Sequence, residues 1–168
     1  RTFSSAASDV YKRQKYGNAL SMTSTIESSF GSRLMTNGGF LLNNELTDFS
    51  FQKEKKGKRV ANNIEPNKRP RSSMAPTIIF KNDNPLFIIG SPGGSNIIGY
   101  VVNSIIGLID WKMNVKQAAS ITNLINNFGT FYLEKNSKIS SLKKQLEKKG
   151  YKVKLRNFYS GLNLSLIH

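Results

Sequence analysis

The sequence predicts a layered α/β chain, of the α/β or α+β class, on three observations. Residues 75–81 and 86–90 are β-branched runs separated by Asn82-Asp83-Asn84-Pro85, a hairpin signal. A glycine-rich turn, Gly90-Ser91-Pro92-Gly93-Gly94-Ser95, follows that hairpin and opens an apolar stretch of helical length. Two later segments, 115–126 and 137–149, carry apolar residues at helical spacing, so strands come first and helices pack on them later.

The elements follow in chain order. Residues 19–26 alternate loosely between apolar and hydroxyl side chains and read as a strand. Residues 31–39 are a glycine-punctuated loop, and Phe40-Leu41-Leu42 reads as a short buried strand. The run Lys53-Glu54-Lys55-Lys56-Gly57-Lys58-Arg59 reads as a solvated loop. A helix is expected from about 96 to 110 with Ser95 as its N-cap. A second helix is expected over 115–126, with Val115, Ala118, Ala119, Ile121, Leu124 and Ile125 mostly on one face. Residues 131–133 form a short strand. A third helix over 137–149 has the stripe Ile139, Leu142 and Leu146 and ends at Gly150; residues 151–155 are a last strand.

The chain of 168 residues suffices for one domain with a core. It has no cysteine, which excludes disulfides, zinc–thiolate sites and a thiol nucleophile. The net charge of +15 raises a second function class, a basic nucleic-acid-binding module. The lysines are scattered and no helix-turn-helix, zinc finger or RNA-binding motif accompanies them, so a solvated basic surface and no nucleic-acid partner are expected. No apolar run is long enough for a membrane span.

The two ends read differently. Asp9-Val10-Tyr11-Lys12-Arg13-Gln14 and Leu164-Ser165-Leu166-Ile167-His168 resemble opposite-strand translations of one sequencing-library adapter. On that reading 1–14 and 164–168 are non-native tails, 15–163 is the natural portion, and the only histidine, His168, takes no part in chemistry.

Four segments carry candidate chemistry. The turn 90–95 lies between strand and helix, where glycines allow close backbone approach and unpaired amides can hold an anion or a developing oxyanion. It lacks the Gly-Lys-Ser/Thr ending of a phosphate loop and the dinucleotide spacing. Ser72 and Ser73 enter a strand from a basic, proline-bracketed turn; adjacent hydroxyls can hold a carboxylate, or be ordinary loop residues. Glu45 and Asp48 are acids three apart, able to grip an ammonium or to cap a helix start. Thr23 and Thr25 share one strand face.

Together these segments closely resemble the small subunit of the γ-glutamyltranspeptidase (glutathione hydrolase) family. The resemblance rests on Gly17-Asn18-Ala19, Thr23-Ser24-Thr25, Phe30-Gly31-Ser32, Leu41-Leu42-Asn43-Asn44, Asp48-Phe49-Ser50, Pro66-Asn67-Lys68-Arg69-Pro70, Ser72-Ser73-Met74, Pro76-Thr77 and Gly90 to Ser95, in the family's order. It implies a four-layer αββα fold of the N-terminal-nucleophile hydrolase type, incomplete here. It also implies a self-cleaving precursor whose large subunit is the partner, and a threonine nucleophile that passes the γ-glutamyl group of glutathione or related compounds to water or amino acids, without a metal or cofactor.

By resemblance, Glu45 and Asp48 hold the α-ammonium and Ser72 and Ser73 the α-carboxylate. The amides of Gly93 and Gly94 form the oxyanion hole, and Thr25 hydrogen-bonds the nucleophile. That nucleophile belongs a few residues ahead of Gly17, where adapter-like sequence stands, so the chain alone is expected to be inactive. Glu27 departs from the pattern: the family usually carries Asn at this substrate-binding position. The Thr25-Ile26-Glu27 pattern resembles a branch that includes cephalosporin or glutaryl acylases, an alternative substrate reading. The family implies a periplasmic or secreted protein, a cytoplasmic one being the other possibility.

Overall fold

A computed structural model describes residues 8–13, 18–159 and 161–166. The strands and helices in chain order are β1 (Ser8–Arg13), β2 (Ala19–Ser24), β3 (Glu54–Lys55), β4 (Lys58–Arg59), β5 (Thr77–Lys81), β6 (Asn84–Gly90), α1 (Ile97–Ile109), α2 (Val115–Ala119), β7 (Leu124–Asn127), β8 (Thr130–Glu134), α3 (Lys143–Lys148), β9 (Lys152–Arg156) and β10 (Asn163–Leu166). The class is mixed α/β, as expected.

The central sheet has the order β10-β6-β5, all antiparallel neighbours. Its hairpin turns on Asn82 and Asp83, both at positive φ, the signature of a tight two-residue turn whose twist matches the strands. Pro85, which has no N–H to offer a ladder, sits where the register shifts between Ile79 and Phe80. Along β6 the side chains alternate. Ile89 joins Ile97, Val101, Leu108 and Ala118 in the main core beneath α1 and α2. Ile88 is equally buried but lies outside that cluster, as its place on the opposite face requires. β2 runs beside β6, Ser21 Oγ donating to Ile89 O, and it half-buries Ala19, Ser21 and Thr23 while exposing Leu20 and Met22.

A second sheet has the order β7-β8-β9. β8 and β9 are parallel, and the helical segment 138–148 makes the crossover that parallel pairing requires. Strands and helices therefore alternate in the second half rather than helices following strands.

Several expectations are corrected. The helix expected over 115–126 stops at Ala119: Asn114 and Gln117 form a capping box, but the helix runs only five residues and Ser120 is its C-cap. Leu124–Asn127 instead pairs with β8 across a Phe128-Gly129 turn in which both residues have positive φ. The apolar spacing there served a strand. The third helix is shorter too, opening as a 3-10 turn over Lys138–Leu142. Ser95 does not cap α1; it lies inside the 3-10 turn Gly94–Asn96, and Asn96 is the N-cap. In Phe40-Leu41-Leu42 the outer two residues are exposed, Leu41 is half-buried, and the segment makes one bridge, Met35 to Leu41. The charge run 53–59 contains the β3–β4 hairpin, its turn made by Lys56 and Gly57.

The end segments set aside in the sequence take part in pairing. β1 matches β2 from Ser8 opposite Ser24 to Arg13 opposite Ala19. β10 lies against β6, and Leu162 and Leu164 pack on the main core. Ladder bonds use main-chain groups that every sequence offers, so the pairing is silent on where these segments come from. No helix among the described residues is long and apolar enough to cross a membrane.

Candidate functional site

Thr25, Glu27, Glu45, Asp48, Ser72, Ser73, Gly93 and Gly94 all line one cavity of ≈ 870 Å³. Each reaches it for a local reason. Glu45 and Asp48 are the first and last residues of a 3-10 turn. Three residues per turn brings positions i and i+3 onto the same side, so both carboxyls face one way. The turn is held by Asn44, whose Nδ2 donates to Glu27 Oε2 (2.8 Å), Ser28 Oγ (2.9 Å) and Thr47 Oγ1 (3.1 Å). Asn44 Oδ1 accepts the Ser28 N–H at 3.0 Å, which ties the acidic turn to the end of β2.

Thr25 lies one residue beyond β2 and keeps its inward alternation. Its Oγ1 accepts the Glu27 N–H at 2.9 Å, leaving the hydroxyl proton to donate. Glu27 has φ 71, a left-handed conformation that Asn adopts more readily than Glu. Its carboxylate accepts from Ser28 Oγ as well as from Asn44.

Burial is the main cause that raises both acids from their ordinary pKa values. Glu45 is raised further by Asp48 and Glu27, and Asp48 by Glu27, with Arg71 opposing. A raised carboxyl holds its proton to higher pH in the folded chain than in the unfolded one. The contribution of these groups to folding is therefore present at low pH and lost as pH rises through the folded values. Replacing Glu27→Gln removes a like charge from both, and Asp48 is expected to titrate at lower pH in that variant. Carboxylate chemical shifts followed against pH measure this, and an unmoved Asp48 would show that Glu27 is electrically irrelevant to it.

Arg71 also lines the cavity, beside Ser72 and Ser73. Asn62 fixes its position: Nδ2 donates to Asp48 O (2.6 Å) while Oδ1 accepts the Arg71 N–H (2.9 Å). One amide side chain thus holds the acidic turn and the hydroxyl pair in register. Ser72 Oγ accepts the Met74 N–H at 3.2 Å. Sequence reasoning passed over Arg71, Asn62 and Asn44. Asn44 lay inside a recognised block, but nothing in the sequence says that residue 62 will reach 48 and 71.

The glycine turn closes the site. Gly93 has φ 141 and its α-carbon faces the buried Tyr100 ring so closely that an added Cβ would lie 2.5 Å from Tyr100 Cε2. Gly94 has φ 56 and begins the 3-10 turn leading into α1. This puts two main-chain amides at the cavity wall, near the start of a helix, where no helical acceptor uses them. Ile98 and Val102 of α1, Asn127, Tyr132 and Arg156 also line the cavity. Carboxyls, hydroxyls and free amides in one cleft suit a small zwitterion with an acyl group. Among the described residues no group of three His, Cys, Asp or Glu could hold a metal.

A family model described as gamma-glutamyltranspeptidase matches residues 8–167. The glutathione hydrolase proenzyme of Bacillus subtilis (strain 168) is 43% identical over 119 residues, covering 70% of this chain and 19% of that protein. The Escherichia coli (strain K12) glutathione hydrolase proenzyme is 37% identical over 150 residues, or 84% of this chain and 26% of that protein. The chain therefore spans about a fifth to a quarter of these relatives. In structure, the Helicobacter pylori γ-glutamyltranspeptidase T380A mutant superposes with TM-score 0.86 at 37% identity, covering 96% of this chain and 91% of that one. The fold is thus that of the N-terminal-nucleophile hydrolases, and the chain belongs to the gamma-glutamyltranspeptidase family.

Proposed function

We propose that this chain supplies the γ-glutamyl-binding side of an enzyme that cleaves γ-glutamyl amides such as glutathione. The gathering of eight residues from four distant segments into one cavity carries the reading. Glu45 and Asp48 take the α-ammonium; Ser72 and Ser73, with Arg71 beside them, take the α-carboxylate. A threonine hydroxyl ahead of Gly17, as the family resemblance implies, attacks the γ-carbonyl, and Thr25 orients it. The carbonyl oxygen becomes an anion held by the Gly93 and Gly94 amides. The amine then leaves with a proton, and water or an amino acid takes the glutamyl group. The large subunit of the same precursor is the proposed partner. Phe30, Leu34, Met35 and Phe40 are each more than 60% exposed within one loop, an apolar face suited to it. Periplasm or secretion is the proposed location, which cell fractionation of the source organism checks.

Two carboxyls at the ammonium end, with Glu27 near enough to raise both, favour γ-glutamyl over glutaryl substrates, because a glutaryl group brings a carboxylate with no ammonium to neutralise them. Calorimetric titration of the chain is expected to show glutamate binding at least tenfold tighter than glutarate. Asp48→Asn is expected to weaken glutamate by about 10- to 100-fold, since a charge-assisted hydrogen bond is worth about 1.5–3 kcal/mol. Binding is expected to strengthen as pH rises through the raised values of Glu45 and Asp48, because the ammonium needs them ionised. Preference for glutarate would overturn the γ-glutamyl reading in favour of an acylase.

A further inference from the structure

Away from the cavity residues, the loop 31–42 holds a reactive pair. Asn37-Gly38 is the one place in the sequence where an asparagine precedes a glycine. It forms the tip of a small irregular hairpin. Ser32 N–H donates to Leu42 O (2.8 Å), Leu42 N–H to Leu34 O (3.0 Å) and Thr36 N–H to Phe40 O (2.9 Å), with Met35 bridging Leu41. At the tip, Gly39 N–H donates to Thr36 O at 3.0 Å, a bond that spans Asn37 and Gly38 and uses neither. Both residues are exposed. Among the described residues the Asn37 side chain and the Gly38 N–H have no hydrogen-bond partner.

An asparagine side-chain carbonyl is an electrophile within reach of the next main-chain nitrogen, and attack closes a five-membered ring. Two things ordinarily prevent it. A Cβ on the following residue obstructs the approach, and glycine has none. A hydrogen bond holds the following N–H in place. Other asparagines of this chain keep such restraints. Asn103 precedes Ser104 inside α1, where the N–H belongs to the helix ladder, and its own Nδ2 donates to Leu124 O. Asn43 precedes Asn44, whose N–H donates to Ile26 O at 3.3 Å. Asn136 is the close comparison: it is exposed in a turn, but Ser137 follows it and carries a Cβ.

We infer that Asn37 is a self-modification site, at which the chain converts to aspartate and isoaspartate. The Gly38 nitrogen gives its proton to solvent base and forms a bond to Asn37 Cγ; the Cγ–Nδ2 bond breaks and Nδ2 leaves as ammonia. Water then opens the cyclic imide. Breaking the new bond leaves an ordinary aspartate. Breaking the original peptide bond leaves isoaspartate, with the main chain rerouted through the former side chain. One water is consumed, one ammonia is released, and nothing is oxidised or reduced. Either product lowers the net charge of +15 by one and sets a carboxylate in a tip flanked by the exposed Met35 and Phe40. Isoaspartate also adds a methylene to the main chain inside the Thr36–Phe40 turn, whose hydrogen bonds fit the shorter path. An apolar face of the loop thus acquires charge as the chain ages. The reaction needs no substrate and is independent of the γ-glutamyl reading.

The test incubates the full chain and its Asn37→Gln and Gly38→Ala variants at neutral and at mildly alkaline pH. Samples taken over time are digested and read by mass spectrometry, and an isoaspartyl methyltransferase with a labelled methyl donor reports isoaspartate. A Cβ at Gly38 meets the edge of the exposed Phe40 ring at 3.1 Å, and Asn37→Gln keeps the amide in case that contact disturbs the fold. In the unaltered chain residue 37 is expected to exchange NH for O, faster at the higher pH and with isoaspartate among the products, while Asn136 stays intact. Both variants are expected to slow conversion at this position by about tenfold or more, since one enlarges the ring and the other restores the Cβ. An Asn37 as durable as Asn136, or conversion at Asn43 or Asn44 in its place, overturns the inference. Conversion at an unchanged rate in Gly38→Ala overturns the ring-closing route.

Discussion

Replacing Gly93 by alanine is expected to cost the chain about 2–4 kcal/mol and to disable the proposed oxyanion site in the same stroke. Two independent faults combine. At φ 141 a side chain strains the backbone, and the new methyl would lie 2.5 Å from Tyr100 Cε2. Tyr100 cannot retreat easily, because it is 2% exposed and Phe158 packs against its ring. For a chain of this size that loss is about 5–15 °C in melting temperature. In an intact enzyme built on this chain, withdrawing one amide from the oxyanion costs about 10²–10³ in rate. Thermal melts of Gly93→Ala beside Gly93→Ser check the steric part: serine must be at least as harmful. A melting temperature unchanged in both would mean that the turn is not held against Tyr100.

Gly31→Ala is expected to be the more damaging of the two for folding, and it acts at a distance from the chemistry. Gly31 has φ 52, and a Cβ would lie 2.1 Å from the Leu42 carbonyl oxygen. That contact is with main chain, so no rotamer change relieves it. The Leu42 carbonyl also accepts the Ser32 N–H at 2.8 Å and Ser32 Oγ at 3.1 Å. Pushing it aside moves Asn43 and Asn44, which position the acidic turn. The expected outcome is a loss of 3 kcal/mol or more, on the order of an overpacked core site with added backbone strain. Glutamate affinity falls with it. Denaturant unfolding measures the first and calorimetry the second; intact affinity in a destabilised variant would show that loop 31–42 and the acidic turn are uncoupled.

The sequence picked out residues that line one cavity more fully than it drew the fold. Residues 90–95, 72–73 and 45–48 announce themselves because glycines at a strand–helix junction, paired hydroxyls and spaced acids have few other uses in combination. Their convergence came from family resemblance, since local pattern cannot bring residue 25 to residue 93. The hairpin at 82–83 was legible because a two-residue turn demands positive φ and Asn and Asp tolerate it. The hairpin at 128–129 was missed because Phe128 is a poor advertisement for a left-handed turn, and the apolar spacing of 115–125 also fits a helix. Arg71, Asn62 and Arg156 were invisible for another reason: a lone arginine or asparagine in a Lys- and Asn-rich chain carries no signal until its neighbours in space are known.

The two walls of the cavity hang on different sheets. Thr25 and the glycine turn are anchored to β2 and the β10-β6-β5 sheet, whereas Tyr132 and Arg156 belong to β7-β8-β9. Substitutions in the second sheet can therefore reshape one side of the cavity while the frame that carries Thr25 and the two glycines stays as it is.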